Sequence, residues 1–189
     1  MPPRWWNELD TPWRECVELA WESWSRGSVP VGAVIVSGDA QNVSRGRNRR
    51  LEHDAPNRQV AGTALAHAEL NALLTLLRYK ETYGLTLYSS LRPCLLCTAA
   101  AVHCHIGLVR YAADDPVANG LERVPDLNAH LARRWPRWEG PANEPLARFS
   151  TLLVTAWAAE AQTEDPALAA CQELRGVALG AGRGGEAHL

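Results

Sequence analysis

Two short stretches, His67-Ala68-Glu69 and Pro93-Cys94-Leu95-Leu96-Cys97, constrain this chain more than any other feature. One imidazole and two thiols lie far apart in sequence, and a single metal ion can use all three only if the fold brings both stretches to one place. Each precedes an apolar run of helical period, so each reads as the start of a helix. Cys94 and Cys97 are three apart and share one face of a helical turn. There the first amides and the helix dipole favour the thiolate form that zinc requires.

The rest of the chain alternates strand and helix signals. Thr11-Pro12 offers an N-cap and first helical position, Trp13, Val17, Ala20 and Trp24 repeat at helical spacing, and Gly27 offers a stop. Residues 31–36 read as an apolar strand, Gly38-Asp39 as a turn, and 42–48 as a returning, more polar strand. An exposed loop over 51–62 leads to a helix over 65–80 whose first turn carries His67 and Glu69. A strand over 86–90, a helix from Pro93 to about His103 and a strand over 106–112 follow. The alternation predicts an α/β sheet with helices on both faces and ligands bound where strand ends meet helix starts.

Beyond Asp115 the pattern loosens through RRWPRWEGP, and Leu146, Phe149, Leu153 and Trp157 then restore a helical stripe. Residues 1–125 are expected to form a catalytic core and 126–175 a helical cap of the same domain, with a short helix starting at Asp165-Pro166. The Gly-rich stretch 176–189 is expected to be disordered. With 189 residues, 47% of them hydrophobic, the chain can bury one substantial core. The net charge of −2 argues against a surface built wholly for nucleic acid. No secretory h-region and no apolar run of about eighteen residues is present, so a cytoplasmic protein without membrane contact is expected. Five cysteines, two of them in one C-x-x-C, suit a reducing compartment and a metal site. Cys16, Cys104 and Cys171 are expected only to pack.

Two thiolates and a neutral imidazole balance Zn²⁺ and leave a fourth position open, as in catalytic rather than structural sites. His103, Cys104 and His105 could supply a fourth ligand, but they lie roughly 10 Å or more beyond Cys97 along the helix. A carboxylate beside an open zinc site can take and return a proton, which is the role expected of Glu69. In an ideal helix Glu69 sits about 200° around from His67 and so off the metal-facing side. The first turn must therefore depart from that ideal. The pattern H-x-E followed by P-C-x-x-C is the signature of zinc deaminases, with the glutamate a proton shuttle and not a ligand.

The segments VPVGAVIV (29–36), RGRN (45–48), HAEL (67–70) and PCLLC (93–97), with AVHCHIGLVRYAADDP after them, resemble the cytidine/deoxycytidylate deaminase superfamily. They look most like its tRNA adenosine deaminase and guanine deaminase branch, and the resemblance covers about 13–116. It implies a three-layer α/β/α cytidine-deaminase-like fold with a mixed sheet of about five strands, a zinc cofactor and a homodimer. It also implies that Asn48 binds the base or ribose and that the backbone amides of Ala68 and Cys94 lie beside the reacting centre. The chain departs from the branch at Ser28 and Arg92, where relatives usually carry glutamate, and at Leu65, where threonine is common.

The activity expected is hydrolytic removal of an exocyclic amine from a purine or pyrimidine, with a free base or nucleoside as first choice of substrate. A tRNA wobble adenosine is the runner-up, and a non-catalytic zinc-binding partner subunit is the competing class. The arginines Arg45, Arg47, Arg49 and Arg50 read equally well as solvated charge on an edge strand or as phosphate contacts. Trp135 and Trp138 among arginines read more readily as core or interface wedges than as base-stacking platforms.

Overall fold

The computed structural model describes residues 4–38, 41–76, 84–115 and 118–161. The order is α1 (Arg4–Asn7), α2 (Thr11–Ser25), β1 (Gly32–Val36), β2 (Asn42–Arg47), α3 (Ala68–Leu74), β3 (Thr86–Leu91), α4 (Leu95–His103) and β4 (Leu108–Ala113). A 3₁₀ helix (Leu121–Leu127), α5 (Ala129–Ala132), β5 (Arg137–Glu139) and α6 (Glu144–Ala161) follow. The sheet runs β2-β1-β3-β4-β5, antiparallel from β2 through β1 to β3 and parallel from β3 to β5.

β1 is buried along its whole length because it lies inside the sheet and is covered on both faces, which is why it reads as an unbroken apolar run. Its side chains alternate between two cores. Ala33 and Ile35 join Leu87, Leu91 and Val109 beneath Ala68, Ala72 and Leu73 of α3 and Ala101 of α4. Val34 and Val36 pack with Cys16 of α2 and with Tyr88 on the opposite face. On that opposite face Ala112 of β4 packs with Val17 of α2 and Leu146 of α6. This is the expected three-layer, mixed five-stranded arrangement.

Gly46 sets the distance between β2 and α3. A Cβ there would fall on backbone atoms of Ala68, Asn71 and Ala72, so only glycine lets the helix sit this close to the strand. Gly27, at φ 81°, ends α2: its N–H bonds to Trp24 O (2.8 Å) and Ser28 N–H reaches back to Ser23 O (2.9 Å), the Schellman arrangement that favours glycine.

Four sequence expectations shift. Asp10, not Thr11, is the N-cap of α2, and Pro12 lies within its first turn. The expected 65–80 helix begins only at Ala68, because His67 is extended (φ −74°, ψ 154°), and residues 77–83 lie outside the described residues. Likewise Cys94 is the extended N-cap of α4 (φ −69°, ψ 175°), and the helix starts at Leu95 rather than Pro93. Within 126–175, expected as a helical cap, Arg137–Glu139 instead joins the sheet as β5, anchored by Arg137 N–H to Gly107 O (3.0 Å) and Ala142 N–H to Ala112 O (3.1 Å). The helix expected from Asp165, Cys171 and the tail 176–189 lie outside the described residues. Among the described residues no helix is long and apolar enough to cross a membrane.

Candidate functional site

The N-termini of α3 and α4 meet over one end of β3 and bring His67, Cys94 and Cys97 together, with every donor atom within 4.8 Å of the others. The Cys94 and Cys97 sulfurs are 3.8 Å apart, and His67 Nδ1 is 3.7 and 3.5 Å from them. Zinc–sulfur bonds of about 2.3 Å and a zinc–nitrogen bond of about 2.0–2.1 Å at tetrahedral angles require about 3.8 Å between sulfurs and about 3.6 Å from sulfur to nitrogen. The donor triangle therefore has the size of one face of a zinc tetrahedron, and the soft, nitrogen-plus-sulfur donor set suits the same ion.

The electrostatics agree. The Cys97 S–H, the His67 ring and the amides at the start of α4 lower the Cys94 thiol to about 4, so this sulfur is a thiolate. The Cys97 thiol is pushed up, first by its hydrogen bond to Cys94 and then by burial. A dication between the two sulfurs removes the need to share that proton.

Glu69 lies in the first turn of α3, 4% exposed, with Oε2 3.3 Å from Cys97 Sγ and Oε1 accepting from Ser89 Oγ at 3.0 Å. Burial, followed by the negative charge of Cys94, raises its carboxyl above the ordinary range. The angular difficulty raised by an ideal helix disappears because His67 is not helical: its extended backbone turns the imidazole towards the carboxylate two residues on. Ser89 escaped sequence reading, although a polar residue at the inward position between Leu87 and Leu91 was a usable signal.

Asn48 follows directly on β2 and is 5% exposed. Its N–H bonds to Val31 O (2.9 Å), its carbonyl accepts from Ser23 Oγ (2.9 Å) and its Oδ1 accepts from Arg50 N–H (3.0 Å). The next amide, Arg49 N–H, bonds to Ala66 O (2.9 Å), so Asn48 is fastened beside the strand-to-helix turn that presents His67. Ala68 opens α3 and Cys94 caps α4, so their N–H groups are among those no carbonyl of the same helix can satisfy. His103, Cys104 and His105 stand at the far end of α4; among the described residues, they are not part of the donor group. Cys16 is buried and Cys104 packs against the core, as expected of structural thiols.

The arginine stretch is committed largely to acids of the same chain. Arg45 pairs with Glu15 (3.3 Å), Arg49 with Glu52 (3.0 Å), and Arg47, whose side chain is only 2% exposed, with Glu22 (3.0 Å) and with both carboxylate oxygens of Glu52. For Arg47 neither the solvated nor the phosphate-contact reading holds. Burial alone would raise the Glu52 carboxyl, but the hydrogen bonds and charges of Arg47 and Arg49 outweigh it and hold it below its ordinary value. Ser28, where relatives usually carry glutamate, accepts from Leu51 N–H (3.1 Å) and bonds to the Glu52 carboxylate. Arg47→Ala is expected to cost about 1–3 kcal/mol, because it strips the main partner from the part-buried Glu52 carboxylate, which keeps only Arg49 and Ser28. A thermal melt of the purified variant checks this; a loss under about 1 kcal/mol would mark the network as peripheral.

Trp138 packs against the core beneath α4 and lies 6.1 Å from the Tyr111 ring, while Trp135 leans on it at 6.4 Å. Arg92 lies over both Tyr111 and Trp138 at 5.6 and 5.9 Å and pairs with Glu122 (3.2 Å) and Asp114 (3.8 Å). Trp138 is thus a wedge that seats β5 on the sheet, with Trp135 leaning on it.

Comparison with known proteins agrees with this geometry. Residues 7–113 match the family described as the cytidine and deoxycytidylate deaminase zinc-binding region. A tRNA(Ile)-lysidine synthase of Deinococcus radiodurans is 38% identical over 124 residues, 64% of this chain and 19% of the relative; the chain spans about a fifth of the length of the lysidine synthases it matches. A tRNA-specific adenosine deaminase of Aquifex aeolicus is 32% identical over 140 residues, 69% of this chain and 82% of the relative. Among solved structures, a guanine deaminase of Nitrosomonas europaea shares the fold with a TM-score of 0.57 at 16% identity, covering 83% of this chain and 93% of its own.

Proposed function

Because the chain belongs to the cytidine and deoxycytidylate deaminase family, we propose that it hydrolyses the exocyclic amine from a purine or pyrimidine base or nucleoside, with His67, Cys94 and Cys97 holding zinc and Glu69 moving the proton. The observation that carries this reading is the zinc-sized triangle of those donors with a buried carboxylate oxygen 3.3 Å from one of its sulfurs. Zinc bound there supplies the Lewis acidity that makes water a nucleophile near neutral pH.

Glu69 takes a proton from the attacking water and delivers it to a ring nitrogen as the water oxygen bonds to the ring carbon. A second proton passes to the amine, which leaves as ammonia while the carbon–oxygen double bond forms. Burial suits Glu69 to the first half of this task, since a carboxylate whose carboxyl is raised above its usual range takes up a proton more readily than it would in water. Ser89 keeps the other carboxylate oxygen in place, so the shuttle swings about one fixed hydrogen bond. Asn48, with Oδ1 held by Arg50 N–H, presents its Nδ2 to an acceptor on the base or ribose, and the Ala68 and Cys94 amides are donors for the oxygen that develops at the reacting carbon.

A small substrate is favoured because Arg47 and Arg49 are turned onto Glu22 and Glu52 of the same chain rather than left for phosphates. The second reading, deamination of a tRNA wobble adenosine, is supported by relatives named as tRNA-specific adenosine deaminases. A silent zinc-holding subunit is disfavoured by Glu69, which such a subunit does not need. The working protein is read as a cytoplasmic homodimer, with β5 and α6 completing the core that carries the site.

Asn48→Ala is expected to weaken capture of the best substrate by roughly 1–3 kcal/mol, because a polar edge of the bound base loses its partner in a dry pocket. Steady-state kinetics read this as a fall in kcat/KM of about five- to 150-fold, against less than about threefold for Arg45→Ala. Equal falls in the two variants would move the contact away from Asn48. An ammonia-release screen over free bases, nucleosides and nucleotides, with tRNA as a further arm, tests the substrate class. Release from tRNA alone, with a steep inverse salt dependence, would replace the small-substrate reading by the tRNA reading.

A further inference from the structure

Asn71 is an unusual residue for the middle of a short helix, where asparagine is a poorer helix former than alanine. It is fully buried at 0% exposure, and all three of its hydrogen bonds leave α3. Nδ2 donates to Arg47 O (3.0 Å) and to Val60 O (3.1 Å), and Oδ1 accepts from Val60 N–H (2.8 Å). One amide thus ties the end of β2 and the loop before His67 to the helix that carries Glu69. Gly46 makes the reach feasible, since its missing side chain is what lets α3 lie against β2.

The Arg47 carbonyl belongs to the peptide that leads into Asn48. That peptide is held on one edge by Asn71 and on the other by Val31 O, which accepts from Asn48 N–H at 2.9 Å. The following peptide is held by Ser23 Oγ on the Asn48 carbonyl and by Ala66 O on Arg49 N–H. Asn48 is therefore oriented by its two flanking peptides, and Asn71 is the contact that references them to the catalytic helix.

We infer that Asn71 is a positioning residue for substrate capture, which sets Asn48 and the 60–66 turn relative to Glu69 and takes no part in the chemistry; this rests on the deaminase reading above. Losing it frees the pocket wall while leaving the metal donors and the proton shuttle where they are. The predicted signature is a change in KM without a matching change in kcat.

The test compares Asn71→Ala and Asn71→Asp with Ser44→Ala in the full chain loaded with zinc. Aspartate keeps the shape and the bond from Val60 N–H but sets an oxygen against two carbonyls it cannot serve. Ser44 bonds to Ala72 O and Thr75 Oγ1 across the same strand–helix interface, further from Asn48, so its loss reports on stability alone. Both Asn71 variants should raise KM at least about tenfold with kcat within about threefold and zinc unchanged, and Ser44→Ala should lower the melting temperature without moving KM. Hydrogen exchange should quicken over 48–62 in the Asn71 variants and not in Ser44→Ala. A native KM in Asn71→Ala, equal KM shifts in Asn71→Ala and Ser44→Ala, or a fall in kcat that tracks zinc loss would each overturn the positioning role. If Glu69→Gln turns over normally, the deaminase reading itself fails; if Glu69→Gln is dead and Asn71→Ala keeps the native KM, only the role of Asn71 fails.

Discussion

Glu69→Gln is expected to yield a folded, zinc-loaded protein whose turnover has fallen by about 10²–10⁴-fold, the range that a lost general acid–base group removes. The amide has the shape of the carboxylate and can still accept from Ser89 Oγ, so the pocket keeps its form. It cannot take the proton from water or return it to the ring. Folding should not suffer, because Glu69 is buried and a neutral amide escapes the cost of desolvating a charge there. Metal analysis, a melting curve and single-turnover kinetics on the same preparation separate the possibilities. Zinc loss would make Glu69 structural, and turnover within about tenfold of the native chain would assign the proton transfer to another group.

Cys94→Ser is expected to lose the metal and, with it, all measurable turnover. Cys94 carries the thiolate of the site and caps α4, and the hydroxyl that replaces it is neither a thiolate nor a matching donor for a soft ion. Because the ion links the N-termini of α3 and α4, its absence should also lower stability and quicken exchange at those two turns. Cys104→Ser is the control: that thiol is half-buried at the far end of α4, and its replacement should keep zinc near one per chain. Zinc content in Cys94→Ser equal to that of Cys104→Ser would remove Cys94 from the ligand set.

The meeting of His67, Cys94 and Cys97 as a candidate donor group was legible because the chemistry is local: C-x-x-C and H-x-E each announce themselves within a few residues, and each sits where a helix begins. The central strands were legible for a similar reason, since residues 31–36 are apolar throughout only if both faces are covered. β5 was not, because Arg137–Glu139 is three residues between Pro136 and Gly140, too short for any period. It is a strand only because β4 offers an edge and Tyr111 and Arg92 hold Trp138. The starts of α3 and α4 were misplaced by three and two residues because an extended residue before a helix follows the same apolar run as the helix itself. That small shift decides the chemistry, since it turns His67 towards Glu69. The burial of Arg47 was hidden for a different reason: its partners Glu22 and Glu52 come from two separate segments, and an isolated run of arginines looks the same whether it meets water, phosphate or a buried acid.

Ammonia release by the native chain and by Glu69→Gln, matched for zinc and run against the same panel of bases, nucleosides and tRNA, bears most directly on hydrolytic deamination at this site. The native chain should release ammonia in step with the oxygenated product from at least one member of the panel, and Glu69→Gln should release about 10²-fold less or lower still. No ammonia from any member with zinc bound, or equal release by the two proteins, would contradict it.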